Sequence, residues 1–165
     1  MNHLYSIFVK KKMSYTQIIK EQTLNENIDK VWDFMSSPKN LEEITPNEMS
    51  FNITSSNKDE KMYEGMIITY KVTPLLNIPL SWMTEITHVK EKMFFVDEQR
   101  LGPYKMWHHQ HIFEKCEQGV KMKDIITYIP PFNILGRIAN TLFIEKKVND
   151  IFDYRKKILD ELFNK

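Results

Sequence analysis

The chain has 165 residues, which suits one domain, and its 42% hydrophobic and 27% charged residues are ordinary for a globular protein. Its 23 basic and 22 acidic residues leave a formal net charge of +1, too small to attract nucleic acid or an anionic membrane. No apolar run approaches the roughly 18 residues of a membrane span, so the sequence predicts neither a nucleic-acid partner nor a membrane span. Cys116 is the only cysteine, which excludes an internal disulfide and fits a cytoplasmic location.

The first twelve residues differ in pattern from the rest of the chain. A short apolar patch precedes three lysines at positions 10–12, whereas a secretory signal carries its positive charge before the apolar stretch. We therefore expect residues 1–12 to be a loosely held N-terminal extension and residues 13–165 to form a single domain.

The first predicted elements are one strand and two short helices. Residues 15–24 alternate between apolar and polar and are rich in strand formers. Asn27 offers helix-start chemistry, and apolar residues recur at helical spacing over residues 28–35. Residues 40–45 are predicted as the second short helix, which ends before Pro46.

Six further strands and one long helix complete the prediction. Strand-forming segments separated by turn residues lie at residues 49–53, 65–72, 79–89, 93–100, 104–114 and 120–129. The period then becomes helical over residues 134–162, a length of about 40 Å at 1.5 Å per residue. The apolar stripe of this helix consists of Leu135, Ile138, Leu142, Val148, Ile151, Phe152, Ile158, Leu159 and Leu162. Short connections favour an antiparallel meander, and the helix needs such a sheet to cover its apolar side.

Several motifs in this order carry a family resemblance. They lie at residues 28–34 and 38–41, at 95–99, 102–104 and 107–113, at 121–124 with Tyr128, and at 151–155. Together they resemble the START/Bet v 1-like (SRPBCC) superfamily, in particular its bacterial ligand-binding and cell-division-inhibitor-like members, over nearly all of residues 13–163. The resemblance implies an α+β helix-grip fold, with a curved seven-stranded antiparallel sheet around a long C-terminal helix and two short helices after the first strand. It implies function less specifically, because relatives bind lipids, sterols, hormones and polyketides and a minority are enzymes.

Two histidines share one face of a predicted strand. Residues two apart on a strand point the same way, so Trp107, His109, His111 and Phe113 lie together. Two imidazoles are a start toward a zinc site, but no HExxH motif or Cys/His set supplies the remaining ligands. The sequence therefore predicts no metal and no cofactor, and a structural or pocket role for both histidines.

Asp124 shares a face with the apolar residues of the last predicted strand, whereas Lys121 and Lys123 lie on the other face. A buried carboxylate must be paired, and His109 on the neighbouring strand of the hairpin is the partner we expect. Two interpretations stay open: a polar anchor for a ligand, or a satisfied structural pair.

Asp97 and Gln99 share a face with Phe95 and add polar groups to the same interior. The alternative is that Phe94 and Val96 point inward and Asp97 is solvated. Both faces of this strand are mixed, so periodicity does not decide between them.

Arg155 borders the apolar stripe of the long helix, where it either reaches a carboxylate at the pocket mouth or lays its stem along the sheet edge.

Cys116 has charged neighbours beside a hairpin loop, the surroundings of a surface thiol rather than of a nucleophile. The aromatic and methionine side chains either line a pocket or fill an ordinary core. The predicted ligand-binding residues are Tyr70, Trp82, Phe95, Asp97, Gln99, Trp107, His109, His111, Met122, Asp124, Ile138, Leu142 and Arg155.

Three functions remain open at this point. The first is binding of a hydrophobic small molecule (lipid, sterol-like or polyketide-like) between sheet and helix, without catalysis, by a monomer or weak homodimer. The second is a cyclase or dehydratase that uses His109 as general base and Asp124 as the orienting carboxylate. The third is a protein-interaction module linked to cell division, which needs an exposed apolar patch such as residues 4–8.

Overall fold

The computed structural model describes residues 15–73, 78–131 and 143–164. The predicted N-terminal extension lies outside the described residues, as do Ile138 and Leu142 of the predicted ligand-binding set. The division into an extension and a domain from residue 13 therefore stays a prediction.

Seven strands form one antiparallel sheet in the order β1-β7-β6-β5-β4-β3-β2. They are β1 (Thr16–Leu24), β2 (Asn52–Ile53), β3 (Ile67–Val72), β4 (Leu80–Lys90), β5 (Phe94–Leu101), β6 (Met106–Cys116) and β7 (Gly119–Ile129). Strands β2 to β7 follow one another as a meander, and β1 pairs with β7, so β1 and β2 are the sheet's edges. The predicted seven-stranded antiparallel sheet is confirmed.

Two helices are described, α1 (Ile28–Met35) and α2 (Glu145–Phe163). The side chain of Asn27 caps α1, because its Oδ1 accepts a hydrogen bond of 2.9 Å from the backbone N–H of Lys30. Neither of the two described helices is long and apolar enough to cross a membrane.

Two of the predicted elements are wrong in detail. The second short helix is a 3₁₀ turn over Pro38–Leu41, because the fixed φ of proline suits a first helical position and starts the turn earlier. The strand predicted at residues 49–53 is only Asn52–Ile53, since Asn47–Met49 form another 3₁₀ turn. Ser50 ends that turn in the left-handed conformation, with φ 44°.

The last helix lies along the inner face of the sheet and is tied to β1. Lys20 and Asp153 form an ion pair of 2.7 Å. Asn164, directly after α2, accepts a hydrogen bond from the backbone N–H of Asn25 and donates one to the carbonyl of Thr23, at 2.7 and 3.0 Å. The predicted C-terminal helix is confirmed over its described part. Leu162 is a correction, because 37% of its surface is exposed and it does not extend the buried stripe.

Among the described residues, the buried apolar side chains form three groups. The largest lies under α1, the second packs β1 and β7 against α2, and the third joins Met49, Val72 and Trp82. Strand β4 changes register against β5 after Met83 and again after Ile86. Such bulges bend a strand and increase its twist, which helps a wide sheet to curve around a helix.

The β6–β7 turn gives the first testable prediction. Gly119 has φ +128°, and a Cβ there would clash with the backbone carbonyl oxygen of Leu24 and lie 2.9 Å from the backbone nitrogen of Glu26. Gly65 also has positive φ, +89°, but no atom lies within 4 Å of its would-be Cβ. We expect Gly65→Ala to lower the unfolding free energy by about 1–2 kcal/mol, and Gly119→Ala by about twice that or more.

Urea unfolding of the two variants measures this difference. Equal losses would show that the backbone at Gly119 moves aside, and that the hairpin packs only loosely against the β1–α1 corner.

Candidate functional site

A cavity of about 120 Å³ lies between the inner face of the sheet and α2. Its wall is mostly aromatic and aliphatic. Eight of the predicted ligand-binding residues line it: Tyr70, Trp82, Phe95, Asp97, Trp107, His109, His111 and Arg155.

Three other predicted residues lie elsewhere. The side chain of Gln99 is engaged with the backbone of Tyr104, donating to its carbonyl at 2.6 Å and accepting from its N–H at 3.2 Å. Met122 is buried in the large apolar group under α1. Asp124 lies behind the two histidines and does not line the cavity. Gln99 thus holds a loop, Met122 belongs to the packed core, and Asp124 contacts the two histidines that line the cavity.

Some lining residues were not among those predicted. Val148, Ile151 and Phe152 of α2 line the cavity, although the sequence placed them only in the apolar stripe of the helix. Their helical spacing relative to Arg155 was the available signal. Tyr104 also lines the cavity, and it follows a turn, where no periodic pattern indicates the direction of a side chain.

One wall consists of packed aromatic rings. The rings of Tyr70 and Trp82 are stacked at 5.8 Å, and Trp82 meets Trp107 edge-on at 5.5 Å. Tyr104 lies 5.0 Å from Trp107. Such contacts each add about 0.5–1.5 kcal/mol beyond the burial of their area, so this wall is rigid and apolar at once.

A closed ring of four polar side chains forms another part of the wall. Strand pairing places Asp97 of β5 opposite His109 of β6, and His111 of β6 opposite Asp124 of β7. The Oδ2 of Asp97 lies 2.9 Å from Nε2 of His111 and 3.2 Å from Nδ1 of His109. The Oδ1 of Asp124 lies 2.9 Å from Nε2 of His109 and 3.1 Å from Nδ1 of His111. We call these four residues the Asp–His ring.

The Asp–His ring is charged although it is buried. Burial alone raises the pKa of both carboxyls, but the charge and hydrogen bonds of His109 and His111 outweigh it and hold the pKa values of Asp97 and Asp124 well below the usual range. Burial lowers the pKa of His109, yet the charge of Asp97 and the hydrogen bond to Asp124 raise it overall. The carboxylates therefore remain ionised, and His109 is stabilised in its protonated form.

Two side chains in the cavity wall, Arg155 and Trp82, have buried hydrogen-bond donors without an acceptor among the described residues. Arg155 places its guanidinium over the ring of Phe152 at 4.7 Å, with Nη1 3.9 Å from Oδ1 of Asp124. Among the described residues its Nε and Nη1 are buried without a hydrogen-bond partner, and so is Nε1 of Trp82. An unmet buried donor costs about 1–3 kcal/mol, so these groups favour an acceptor inside the cavity.

The predicted pair of His109 and Asp124 is brought together, at 2.9 Å. Both ring nitrogens of His109 nevertheless face carboxylate oxygens, because Asp97 occupies the side that Asp124 leaves open. A general base needs a free nitrogen within reach of the substrate proton. This geometry does not favour the proton-abstracting role.

No protein-family model and no curated protein matches the chain. Solved structures match it by fold. A structural-genomics protein from Chromobacterium violaceum has a TM-score of 0.70 at 9% identity, covering 90% of this chain and 98% of that one. A protein from Thermus thermophilus has a TM-score of 0.68 at 15% identity, covering 88% and 95%. Ginseng major latex-like protein 151 from Panax ginseng has a TM-score of 0.65 at 10% identity, covering 90% and 97%.

These similarities confirm the predicted architecture. The ginseng protein is Bet v 1-like, and the chain has the helix-grip fold of such proteins: a seven-stranded antiparallel sheet, two helical segments after β1 and a C-terminal helix. At 15% identity or less, the likeness is one of fold alone.

The Asp–His ring gives a stability prediction. Asp124→Ala removes one of the two carboxylates that the buried histidines share, and also the carboxylate nearest to Arg155. Breaking a buried ion pair in this way costs about 3–5 kcal/mol. The matched control is Glu98→Ala. Glu98 contacts His108 at 2.9 Å on the outer face of β5 and β6, where water screens the pair, so we expect a loss of about 0–1 kcal/mol.

Guanidinium unfolding at pH 7 compares the two variants. A loss at Asp124 no larger than that at Glu98 would mean that water reaches the Asp–His ring freely.

Proposed function

We propose that the protein binds a small, mainly apolar molecule in the cavity between the sheet and α2. The observation that carries the proposal is the cavity itself, which is lined by aromatic and aliphatic side chains in the middle of an otherwise packed interior. The Bet v 1-like fold, which commonly holds hydrophobic ligands, supports it. Binding energy would come from apolar area removed from water, about 25 cal/mol per Å².

The size of the cavity favours a ring-sized ligand. A dry apolar cavity of about 150 Å³ in another protein is known to bind benzene, and this cavity measures about 120 Å³. A one- or two-ring molecule fits that scale better than the sterol-like and lipid-like ligands considered from the sequence.

The polar groups of the wall favour a ligand with an acceptor. The nitrogens of the Asp–His ring lie 2.9–3.2 Å from carboxylate oxygens of the ring itself, whereas Arg155 and Trp82 retain buried donors without a partner among the described residues. A carboxylate or carbonyl on the ligand would meet them, and a carboxylate could bond the guanidinium at two points. Arg155 is therefore the residue that we propose as the ligand's polar anchor.

The other two functions have less support. An enzyme would need a nitrogen of His109 that is free to act, and a carboxylate faces each one. The exposed large apolar residues of the described chain lie on several different elements, and the segment 4–8 is not among the described residues. A cytoplasmic location and a monomeric or weakly dimeric state stay predictions.

Filling the cavity tests the proposal. Ile151 of α2 lines the cavity, and Ile151→Trp places an indole where the ligand would lie. We expect calorimetric titration with 2-naphthoate to show binding to the wild type and at least tenfold weaker binding to this variant. Lys156→Trp is the matched control, since Lys156 lies on the exposed side of the same helix, and its affinity should stay within twofold.

Two results would contradict cavity binding. One is equal binding to both tryptophan variants. The other is a wild-type protein that takes up none of a panel of one- and two-ring compounds and carries no small molecule in native mass spectrometry.

Replacing the proposed anchor tests ligand polarity. Arg155→Met keeps most of the stem's apolar packing and removes the guanidinium. We expect the affinity for 2-naphthoate to fall about tenfold or more, in line with the roughly 1.5–3 kcal/mol of a hydrogen bond to a charged group. The affinity for the neutral 2-acetylnaphthalene should fall less. An equal fall for both compounds would assign Arg155 to packing alone.

A further inference from the structure

We infer that Asp97, His109 and His111 form a binding site for a divalent transition-metal ion on the wall of the cavity. The sequence supplied two imidazoles and no third ligand. Strand pairing supplies the third ligand, because Asp97 on β5 lies directly opposite His109 on β6. The inference is independent of the proposed ligand, since it concerns the ion alone.

The three donor atoms are close enough to share one ion. The Oδ2 of Asp97 lies 3.2 Å from Nδ1 of His109 and 2.9 Å from Nε2 of His111, and all three donors lie within 4.8 Å of one another. With metal–ligand bonds of about 2.0–2.2 Å, neighbouring donors in a tetrahedral or octahedral shell are about 3.0–3.5 Å apart. Two imidazole nitrogens and one carboxylate oxygen suit zinc, cobalt or iron rather than magnesium or calcium.

Asp124 holds the two histidines from behind. A histidine that binds a metal through one nitrogen typically donates its other N–H to a carboxylate. Here Nε2 of His109 and Nδ1 of His111, the nitrogens turned away from Asp97, both approach the same Oδ1 of Asp124, at 2.9 and 3.1 Å. Nδ1 of His111 is buried and makes no hydrogen bond within the described chain. With an ion on the Asp97 side, that nitrogen would carry the hydrogen and donate it to Asp124.

The three ligands stand on paired strands and face the cavity. His109 and His111 are 3% and 2% exposed. The three ligands line the cavity, whereas Asp124 does not. Metal sites that bind a further small ligand typically have three protein ligands, and their remaining coordination positions face a cavity.

The outer face of the same strands provides a matched control. Glu98 and His108 form a cross-strand pair at 2.9 Å with 29% and 33% of their side chains exposed. They repeat the carboxylate–imidazole pairing of Asp97 and His109 in water, without a second histidine of β5 or β6 on that face.

The experiment is a titration of untagged, chelator-treated protein with Zn²⁺ by calorimetry and with Co²⁺ by visible absorption, with no organic ligand present. We expect one equivalent of each ion to bind, and Co²⁺ to show the intense bands of a low-coordinate site. Asp97→Asn and His111→Gln should lower the affinity at least a hundredfold. Asp124→Asn should lower it about tenfold to a hundredfold without changing the stoichiometry. His108→Ala should leave it unchanged.

Three results would overturn the inference. The first is a folded wild type with no saturable uptake of either ion. The second is an Asp97→Asn variant that binds as the wild type does. The third is loss of binding in His108→Ala, which would place the ion on the outer face. Because the wild-type titration is decisive by itself, a variant that fails to fold does not leave the question open, and the result is separate from whether naphthoate binds.

Discussion

The Asp–His ring is the constraint on which the described structure depends. Asp124 is buried and the Asp97 side chain is 16% exposed, in an interior that is mainly apolar, where an unpaired charge would cost several kcal/mol. Each carboxylate is satisfied only because three adjacent strands bring Asp97, His109, His111 and Asp124 to the same level on the same face. A slip of one residue in β5 or β7 would send one carboxylate of the ring to the outer face, and a slip in β6 would send both histidines there, so the contacts of the displaced residues would be lost. The ring therefore specifies the register of the central sheet as well as furnishing a polar part of the cavity wall.

The cavity follows from the way the sheet and α2 share the remaining apolar surface. The residues of α2 that pack most tightly, Val148, Phe152 and Leu159, meet two different groups of the core. The third group includes Trp82, which lies next to the first register shift of β4, between Met83 and Thr84. The aromatic rings of this group contact one another, and Ile151 of α2 packs against the same group. Their mutual contacts stabilise the cavity wall.

Period-two alternation predicted much of this arrangement from the sequence. It placed His109, His111 and Asp124 on the inner face, because lysines and other polar residues alternate with them in β6 and β7. It failed in β5, where Phe95 and Val96 are both buried and the two faces do not differ in polarity. The participation of Asp97 depends on pairing between strands, which no local pattern encodes.

Other features required tertiary information for different reasons. The engagement of Gln99 with Tyr104 is a contact between a strand and the loop after it, so periodicity could not distinguish it from a pocket position. The burial of Arg155 depends on what stands opposite the helix, namely Asp124. Composition and spacing thus predicted which segments form helices and strands, but they did not predict which groups pair with the polar side chains.

The amide of Asn164 has a consequence for any shortened version of the protein. It bridges the backbone of Thr23 and Asn25 and also donates to Asp160 at 2.9 Å, so a single side chain beyond the last helical turn clips α2 to the corner between β1 and α1. The apolar stripe gives no hint of this clip, because its buried part ends at Leu159. A C-terminal boundary chosen from hydrophobicity alone would remove Asn164, and with it the hydrogen bonds that fix the end of α2 to the β1–α1 corner.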